Sequence, residues 1–336
     1  MERTKNKILP GQMLWMLVIF LLASVLVSLL AGRYPISLSG VVHALLGRSE
    51  DEQVAHIIYQ VRLPRIFAAI LVGGALSVSG AAYQGMFKNP LVSPDLLGAS
   101  SGASFGAVLG IVLSVGIGGT KLMAFLFGLL AVMMTWFIAA RIGKGNNTVF
   151  LLVLGGILVS GLFQSLITLM KYTADTDNKL PEITFWLMGS LNKATYRDVL
   201  GMVVPFSVCI GVLVICSNKI NILSLGEDEA KALGVNTRLL QAVITISATI
   251  LTSYSISVTG TIGWIGLIVP HLTRMVMGPN FKHVIPGSLL LGAVYLLLMD
   301  DLCRSLMTIE IPLGITTSLV GIPFLIFLMS KRESSW

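Results

Sequence analysis

Ten apolar runs, separated by short polar stretches, make up most of the chain. A helix needs about 20 apolar residues to cross the hydrocarbon core of a bilayer, and most of the runs approach that length. We therefore predict ten transmembrane helices, at residues 13–31, 66–86, 96–118, 122–140, 148–170, 199–216, 239–258, 259–273, 284–299 and 311–330. The eighth run is short and is interrupted by Gly260, Gly263 and Gly266, so it departs furthest from a simple span.

The composition fits lipid as the main solvent. Of the 336 residues, 55% are hydrophobic and 12% are charged, and the mean hydropathy is +0.87. Soluble domains usually carry about 25% charged residues, so this chain has too few polar groups to cover a soluble globule. It is predicted to be an all-α polytopic membrane protein with a single transmembrane domain over residues 1–336. Its basic residues are scattered singly, which argues against nucleic acid as a partner.

The distribution of charge predicts the orientation in the membrane. With ten spans both termini lie on one side, which then carries thirteen Lys and Arg against six acids, while the opposite side carries ten of each. Basic residues concentrate in cytoplasmic loops, so both termini are predicted to be cytoplasmic. The first run follows Arg3, Lys5 and Lys7 but is longer than a signal-peptide core, so we interpret it as a retained membrane helix.

The interiors of the ten runs contain no Asp, Glu, Lys or Arg. Ion-coupled transporters usually hold ionisable groups at membrane depth, so an ion-coupled secondary transporter is a less favoured alternative. The sequence has no GxxxxGK[ST] nucleotide-binding loop, no catalytic constellation and no cluster with metal-ligand spacing. The chain is therefore expected to be neither an enzyme nor the holder of a metal or cofactor, and any energy for transport would come from another subunit.

A polar segment at about residues 220–237 predicts a short helical hairpin on the cytoplasmic side. Glu227, Asp228 and Glu229 suit the amino end of a helix, and Gly234 can end that helix in the left-handed conformation. Asn236 would then cap the helix that enters the seventh span. The hairpin could dock on a partner or serve as a solvated connector. The apolar residues available for docking would be Leu225, Ala230 and Leu233.

Glycines recur at every fourth position of the third run, which places them on one helical stripe: Gly98, Gly102, Gly106 and Gly110. Small residues at such spacing let two membrane helices approach closely, although the stripe could also line a substrate path. Just before it, Ser93, Pro94 and Asp95 have the pattern of a helix N-cap, a first-turn proline and an acid that matches the helix dipole.

Five motifs in the same order resemble those of the FecCD-type permease subunits of iron-siderophore and cobalamin ATP-binding-cassette importers. They are Arg62-Leu-Pro-Arg65, the segment 89–102 that begins Asn89-Pro-Leu-Val, the hairpin segment 225–236 (LGEDEAKALGVN), the segment 260–274 (GTIGWIGLIVPHLTR) and Glu310-Ile-Pro-Leu-Gly314. The resemblance implies the ten-helix fold of the cobalamin importer permease in a bacterial cytoplasmic membrane. It also implies a second permease subunit, identical or paralogous, two ATPase subunits that bind ATP and Mg, and an extracytoplasmic substrate-binding protein.

The same resemblance implies roles for particular residues. The residues expected to contact the ATPase and couple it to transport are Leu225, Gly226, Glu227, Asp228, Glu229, Ala230, Leu233, Gly234 and Asn236. Binding-protein docking would fall on Arg62, Arg65 and Arg304, whose forked guanidinium groups suit carboxylates, although these could also be ordinary interfacial arginines. Asp300 and Asp301 lie near Arg304 and could pair with it.

The substrate path is predicted from small and polar residues and from a segment that resembles the family's short gating helix. The first group comprises Ser100, Ser104, Ser160 and Gln164, and the gating segment comprises Phe185, Trp186 and Met188, which could instead pack at the membrane interface. The overall resemblance favours iron(III)–siderophore complexes as cargo, with haem or cobalamin as alternatives. Iron would arrive inside its chelator, so iron ligands are not expected in this chain.

Overall fold

The computed structural model describes residues 10–48, 51–142, 148–307 and 309–330, and every regular element in those ranges is helical. The predicted flanking charges at Arg3, Lys5, Lys7, Lys144, Lys331 and Arg332 lie outside them. The helices are α1 (Pro10–Leu30), α2 (Leu38–Leu45), α3 (Glu52–His56), a π-helix (Ile57–Arg62), α4 (Leu63–Met86), a 3-10 helix (Pro94–Leu97), α5 (Ala99–Val112), α6 (Gly116–Ile142), α7 (Thr148–Thr173), α8 (Lys179–Met188), α9 (Tyr196–Ile215), α10 (Ser217–Leu225), α11 (Glu227–Ala232), α12 (Thr237–Thr259), α13 (Ile265–Met277), α14 (Phe281–Ser305) and α15 (Leu313–Ser330).

Seven helical segments within the described ranges are long and apolar enough to cross a membrane: α1, the continuous α3–α4 segment, α6, α7, α9, α12 and α14. The other three predicted spans correspond to shorter apolar helices, α5, α13 and α15. The all-helical, multi-pass fold is therefore confirmed. The count of ten crossings stays a prediction.

The two shortest of these helices differ from the apolar runs that predicted them. Ser93 caps the separate 3-10 helix rather than the span, and Gly98 with φ +87° turns the chain before α5 begins. In the eighth run, Gly260 ends α12 and Trp264 adopts φ +73°, so that α13 begins only at Ile265. Left-handed backbone interrupts both runs, which is why hydropathy alone overestimates the length of these helices.

Helix α4 lies at the centre of the bundle and packs against α9, α12, α13 and α14. Small residues make these contacts close: a Cβ at Gly80 would lie 1.7 Å from the Gly266 carbonyl oxygen, and one at Gly73 would lie 2.3 Å from that of Gly292. Helices in lipid associate through such contacts rather than through hydrophobic expulsion. Because α4 and α14 run side by side, they join the two ends of the bundle.

The glycine stripe of α5 packs against α6. A Cβ at Gly102 would lie 2.4 Å from the Phe127 carbonyl oxygen, and one at Gly106 would lie 2.3 Å from that of Met123. Side chains larger than hydrogen would push the two helices apart. The packing interpretation of the stripe is therefore confirmed at these positions.

Candidate coupling, docking and cavity sites

The hairpin between α10 and α12 is built from local signals. Gly234 adopts φ +77°, and the Val235 amide donates to the Ala230 carbonyl at 2.9 Å, which ends α11. The Asn236 side chain accepts a hydrogen bond from the Leu239 amide at 3.0 Å and caps α12. Both end signals are confirmed, whereas the coupling role of the segment stays a prediction.

The hairpin exposes two leucines among charged side chains. Leu225 is 67% exposed and Leu233 is 62% exposed, whereas Ala230 is buried. Lys231 forms ion pairs with Glu227 at 3.1 Å and with Asp228 at 3.6 Å, and its hydrogen bond to Glu227 raises the pKa of the Lys231 ammonium. Exposed apolar side chains with a polar rim are typical of protein-binding surfaces.

Polar contacts fix the hairpin to the central helices. The Asn221 amide group donates to Asn280 Oδ1 at 2.8 Å and accepts from the Phe281 backbone N–H at 2.8 Å, at the start of α14. Lys88 donates to the Leu225 carbonyl at 3.3 Å from the end of α4. Sequence reasoning missed Asn221 and Lys88, because a single polar residue gives no sign of a partner so far along the chain.

The three predicted docking arginines lie at the opposite end of the bundle, and all are buried. Arg62 is 3% exposed, while Arg65 and Arg304 are each 6% exposed. Docking on another protein requires accessible guanidinium groups, but in the structure partners within the chain hold all three.

Arg65 joins α4 to α14 and to the segment before α15. Its Nε lies 2.8 Å from Asp300 Oδ2 and its Nη2 lies 2.8 Å from Asp300 Oδ1, which is the forked geometry that a guanidinium favours. Its Nη1 donates to Glu310 Oε1 at 3.0 Å. The ninth apolar run ends at Met299 in the sequence, yet α14 continues to Ser305, since Arg65 and Arg304 neutralise the acidic pair inside the helix end.

Arg304 and Arg62 attach α1 to the same cluster. Arg304 Nη2 bonds to Asp301 and donates to Ser28 Oγ at 2.6 Å, and Ser28 Oγ donates to Asp301 Oδ1 at 2.8 Å. Arg62 donates to the carbonyl of Leu29 and, at 2.6 Å, to that of Tyr34. The expected pairing of Arg304 with the neighbouring aspartates is confirmed. Its role in docking a binding protein stays a prediction.

A cavity of about 1020 Å³ opens beside this arginine cluster, and Glu310 belongs to both. The predicted gating residues Phe185, Trp186 and Met188 all line the cavity from α8. The polar residues predicted to line a path do not reach it. Ser100 donates a hydrogen bond to Asp95, and Ser104 is buried on α5. Ser160 packs against Gly98, where an added Cβ would lie 3.3 Å from Ser160 Oγ, and Gln164 is exposed on α7.

Comparison with known proteins identifies the family. The model of the FecCD transport family matches residues 19–331.

The chain belongs to the FecCD transport family.

Its relatives are named for several kinds of cargo. It is 38% identical over 326 residues to the molybdate import system permease protein MolB of Haemophilus influenzae, with 96% of each chain covered. It is 35% identical over 288 residues to an iron chelatin transport system permease protein of Helicobacter pylori, with 86% of each covered. A solved structure described as an inward-facing conformation of a metal-chelate type ABC transporter superposes with a TM-score of 0.86 at 38% identity, over 96% of this chain and 99% of that one. This FecCD protein is thus a permease of an ATP-binding-cassette importer.

Proposed function

We propose that this chain is the transmembrane subunit of an importer that carries iron(III)–siderophore complexes into the cell. The family match over residues 19–331 carries the proposal, together with the similarity to a permease protein named for iron chelatin transport. The similarity to a metal-chelate transporter structure over 96% of the chain supports a chelated metal as cargo.

The proposed assembly has ten spans in a bacterial cytoplasmic membrane, with both termini in the cytoplasm. A second permease subunit would complete the path, and an extracytoplasmic binding protein would deliver the cargo. Two ATPase subunits would bind ATP and Mg and would dock on the hairpin. The exposed Leu225 and Leu233 support this docking, since they give a partner groove two apolar side chains to enclose.

A single helix would carry motion from the ATPase to the external side. Asn221 of α10 holds the start of α14 at Phe281, and the far end of α14 carries Asp300 and Arg304. A helix of 25 residues is about 37 Å long, so α14 links the hairpin end of the bundle directly to the arginine cluster. Movement of the hairpin would therefore displace the arginine cluster and the adjoining cavity together.

Docking of a binding protein at the arginine cluster would require an exchange of partners. Glu310 is the most accessible carboxylate there, with its side chain 29% exposed, whereas Asp300 is fully buried. We expect a carboxylate of the binding protein to replace Glu310 on Arg65 while Asp300 keeps its forked contact. This would tie delivery of cargo to a change at the edge of the cavity.

Molybdate is the second candidate cargo, because the 38% identical MolB is named for it. An uptake assay in cells that lack this gene distinguishes the two cargoes. Labelled iron is supplied on hydroxamate and catecholate siderophores, and labelled molybdate is supplied alone. Loss of uptake for one siderophore class is the expected result. Loss of molybdate uptake alone would identify molybdate as the cargo instead. In the same way, loss of haem or cobalamin uptake alone would identify that solute as the cargo. Unchanged uptake of every solute would contradict the importer role.

A further inference from the structure

The cavity beside the arginine cluster carries an excess of positive charge. Four basic residues line it against two acids, a formal net charge of +2: Arg33, Lys121, Lys179, Lys193, Glu182 and Glu310. These residues come from the segment that follows α1, the start of α6, α8 with the loop that follows it, and the segment that precedes α15. Four separate parts of the chain thus deliver charge to one cavity.

Three of these four basic residues form no ion pair with a carboxylate of the described residues. Lys121 is paired with Asp198 at 2.6 Å, and Glu310 is held by Arg65. Lys179 donates to Ser114 Oγ at 2.5 Å and to the Ile111 carbonyl at 2.8 Å, and its charge interacts with Asp175 without forming an ion pair. An ion pair requires a nitrogen–oxygen distance of at most 4.0 Å. In the part of the chain that the structure describes, no carboxylate oxygen lies that close to the side-chain nitrogens of Arg33, Lys179 or Lys193. A cavity with low-dielectric walls concentrates such a field and attracts anions.

The remaining wall is apolar and aromatic. Phe185 is 70% exposed although it lies against the cavity, and Trp186, Met188, Ile309 and Pro312 extend the same surface. Cavities for organic ligands run from about 300 to 1,000 Å³ and combine apolar walls with a few polar groups. A bare oxyanion would occupy only a small part of this volume and would leave Phe185 uncovered.

We propose that this cavity is a receiving site in the permease itself for an anionic metal chelate with an organic body. Arg33 and Lys193 attract the negative charge, and Phe185 and Trp186 pack against the ligand shell. The proposal rests on the proposed function and deepens it, because it assigns part of the cargo preference to this chain. A charged ferric catecholate complex fits the site better than a neutral ferric hydroxamate complex of similar size.

The test measures binding to the full-length permease with its ATPase in nanodiscs, without binding protein, through quenching of tryptophan fluorescence. The probes are a ferric tris-catecholate, a neutral ferric tris-hydroxamate and molybdate. For Arg33→Ala combined with Lys193→Ala we expect the Kd for the catecholate to rise about tenfold, as for the loss of two partly exposed charge contacts. Arg197→Ala is the matched control, since Arg197 is also exposed but does not line the cavity.

Two further variants test whether the fluorescence quenching comes from Trp186 and whether Phe185 contacts the ligand. Trp186→Phe should remove most of the quenching, and Phe185→Ala should weaken binding of the catecholate. Equal Kd values for the double variant and the Arg197 control would overturn the proposal, as would tighter binding of the neutral hydroxamate or of molybdate than of the catecholate. Uptake by the wild type is measured separately, so failure of this site is distinct from failure of the importer role.

Discussion

The hairpin and the arginine cluster lie at opposite ends of the bundle and are both predicted from family-like motifs, yet they differ in how accessible their side chains are to a partner. The hairpin exposes Leu225 and Leu233, and the residues that end α11 and cap α12 lie within a few positions of those helix ends. The arginines are buried, and Arg65 finds its main partner 235 residues along the chain at Asp300. A motif therefore predicts where a residue lies, while its availability to a partner depends on long-range contacts.

The largest effect is expected from Arg65→Ala, which breaks the arginine cluster. Asp300 would be left buried without its forked partner, a change that destabilises a protein by about 3–5 kcal/mol. We expect a clear fall in the thermal unfolding temperature of the purified permease in detergent.

A double variant separates stability from docking at this site. Arg65→Met combined with Asp300→Leu replaces the pair by apolar side chains of similar volume, which is often neutral or stabilising. Its stability should return towards that of the wild type while its affinity for the binding protein stays low. Wild-type affinity in the rescued protein would show that Arg65 is purely structural.

A smaller but more specific effect is expected at the hairpin. Leu225→Ser combined with Leu233→Ser should weaken ATPase binding at least tenfold, because buried contact residues at interfaces contribute about 1–2 kcal/mol or more each. Thermal stability should change little, since both side chains are exposed. Affinity for the ATPase in nanodiscs is the measurement, with Leu239→Ser as the control because Leu239 is 62% exposed on α12 outside the hairpin. Equal loss in the control would remove the hairpin as the specific contact.

The smallest effect is expected from Asn236→Ala, which removes the cap of α12. Loss of such a cap costs about 1 kcal/mol, and the cost should appear locally. Hydrogen exchange at the Leu239 amide should become faster, while amides at the arginine cluster keep their protection. Asn192→Ala is a matched control on an exposed asparagine that caps no helix. No change at Leu239 would contradict the capping assignment.

The sequence predicts features that depend on near neighbours. The helical class, Gly234 as a helix end, Asn236 as a cap and the close packing at Gly102 all follow from local spacing. The start of α13 was not predicted, because left-handed Trp264 has no sequence signal comparable to glycine.

The features that the sequence did not predict depend on contacts between residues far apart in the chain. Nothing near Arg65 in the sequence points to Asp300, and nothing near Asn221 points to Asn280. The residues predicted for the path also separate in the structure, because Ser104 is buried in the α5 packing whereas the predicted gating residues of α8 line the cavity. Which face of a membrane helix meets a cavity depends on how the helices pack, and similar residues occur on both faces.

The central claim is that an ATPase drives chelate uptake through the hairpin of this permease. ATP-dependent uptake of a labelled ferric siderophore into proteoliposomes that contain the complete complex tests it most directly. The account predicts uptake by the wild type and by Leu239→Ser, and loss of uptake by the Leu225→Ser and Leu233→Ser double variant with its membrane insertion intact. Uptake without ATP, or wild-type uptake by the double variant, would contradict it.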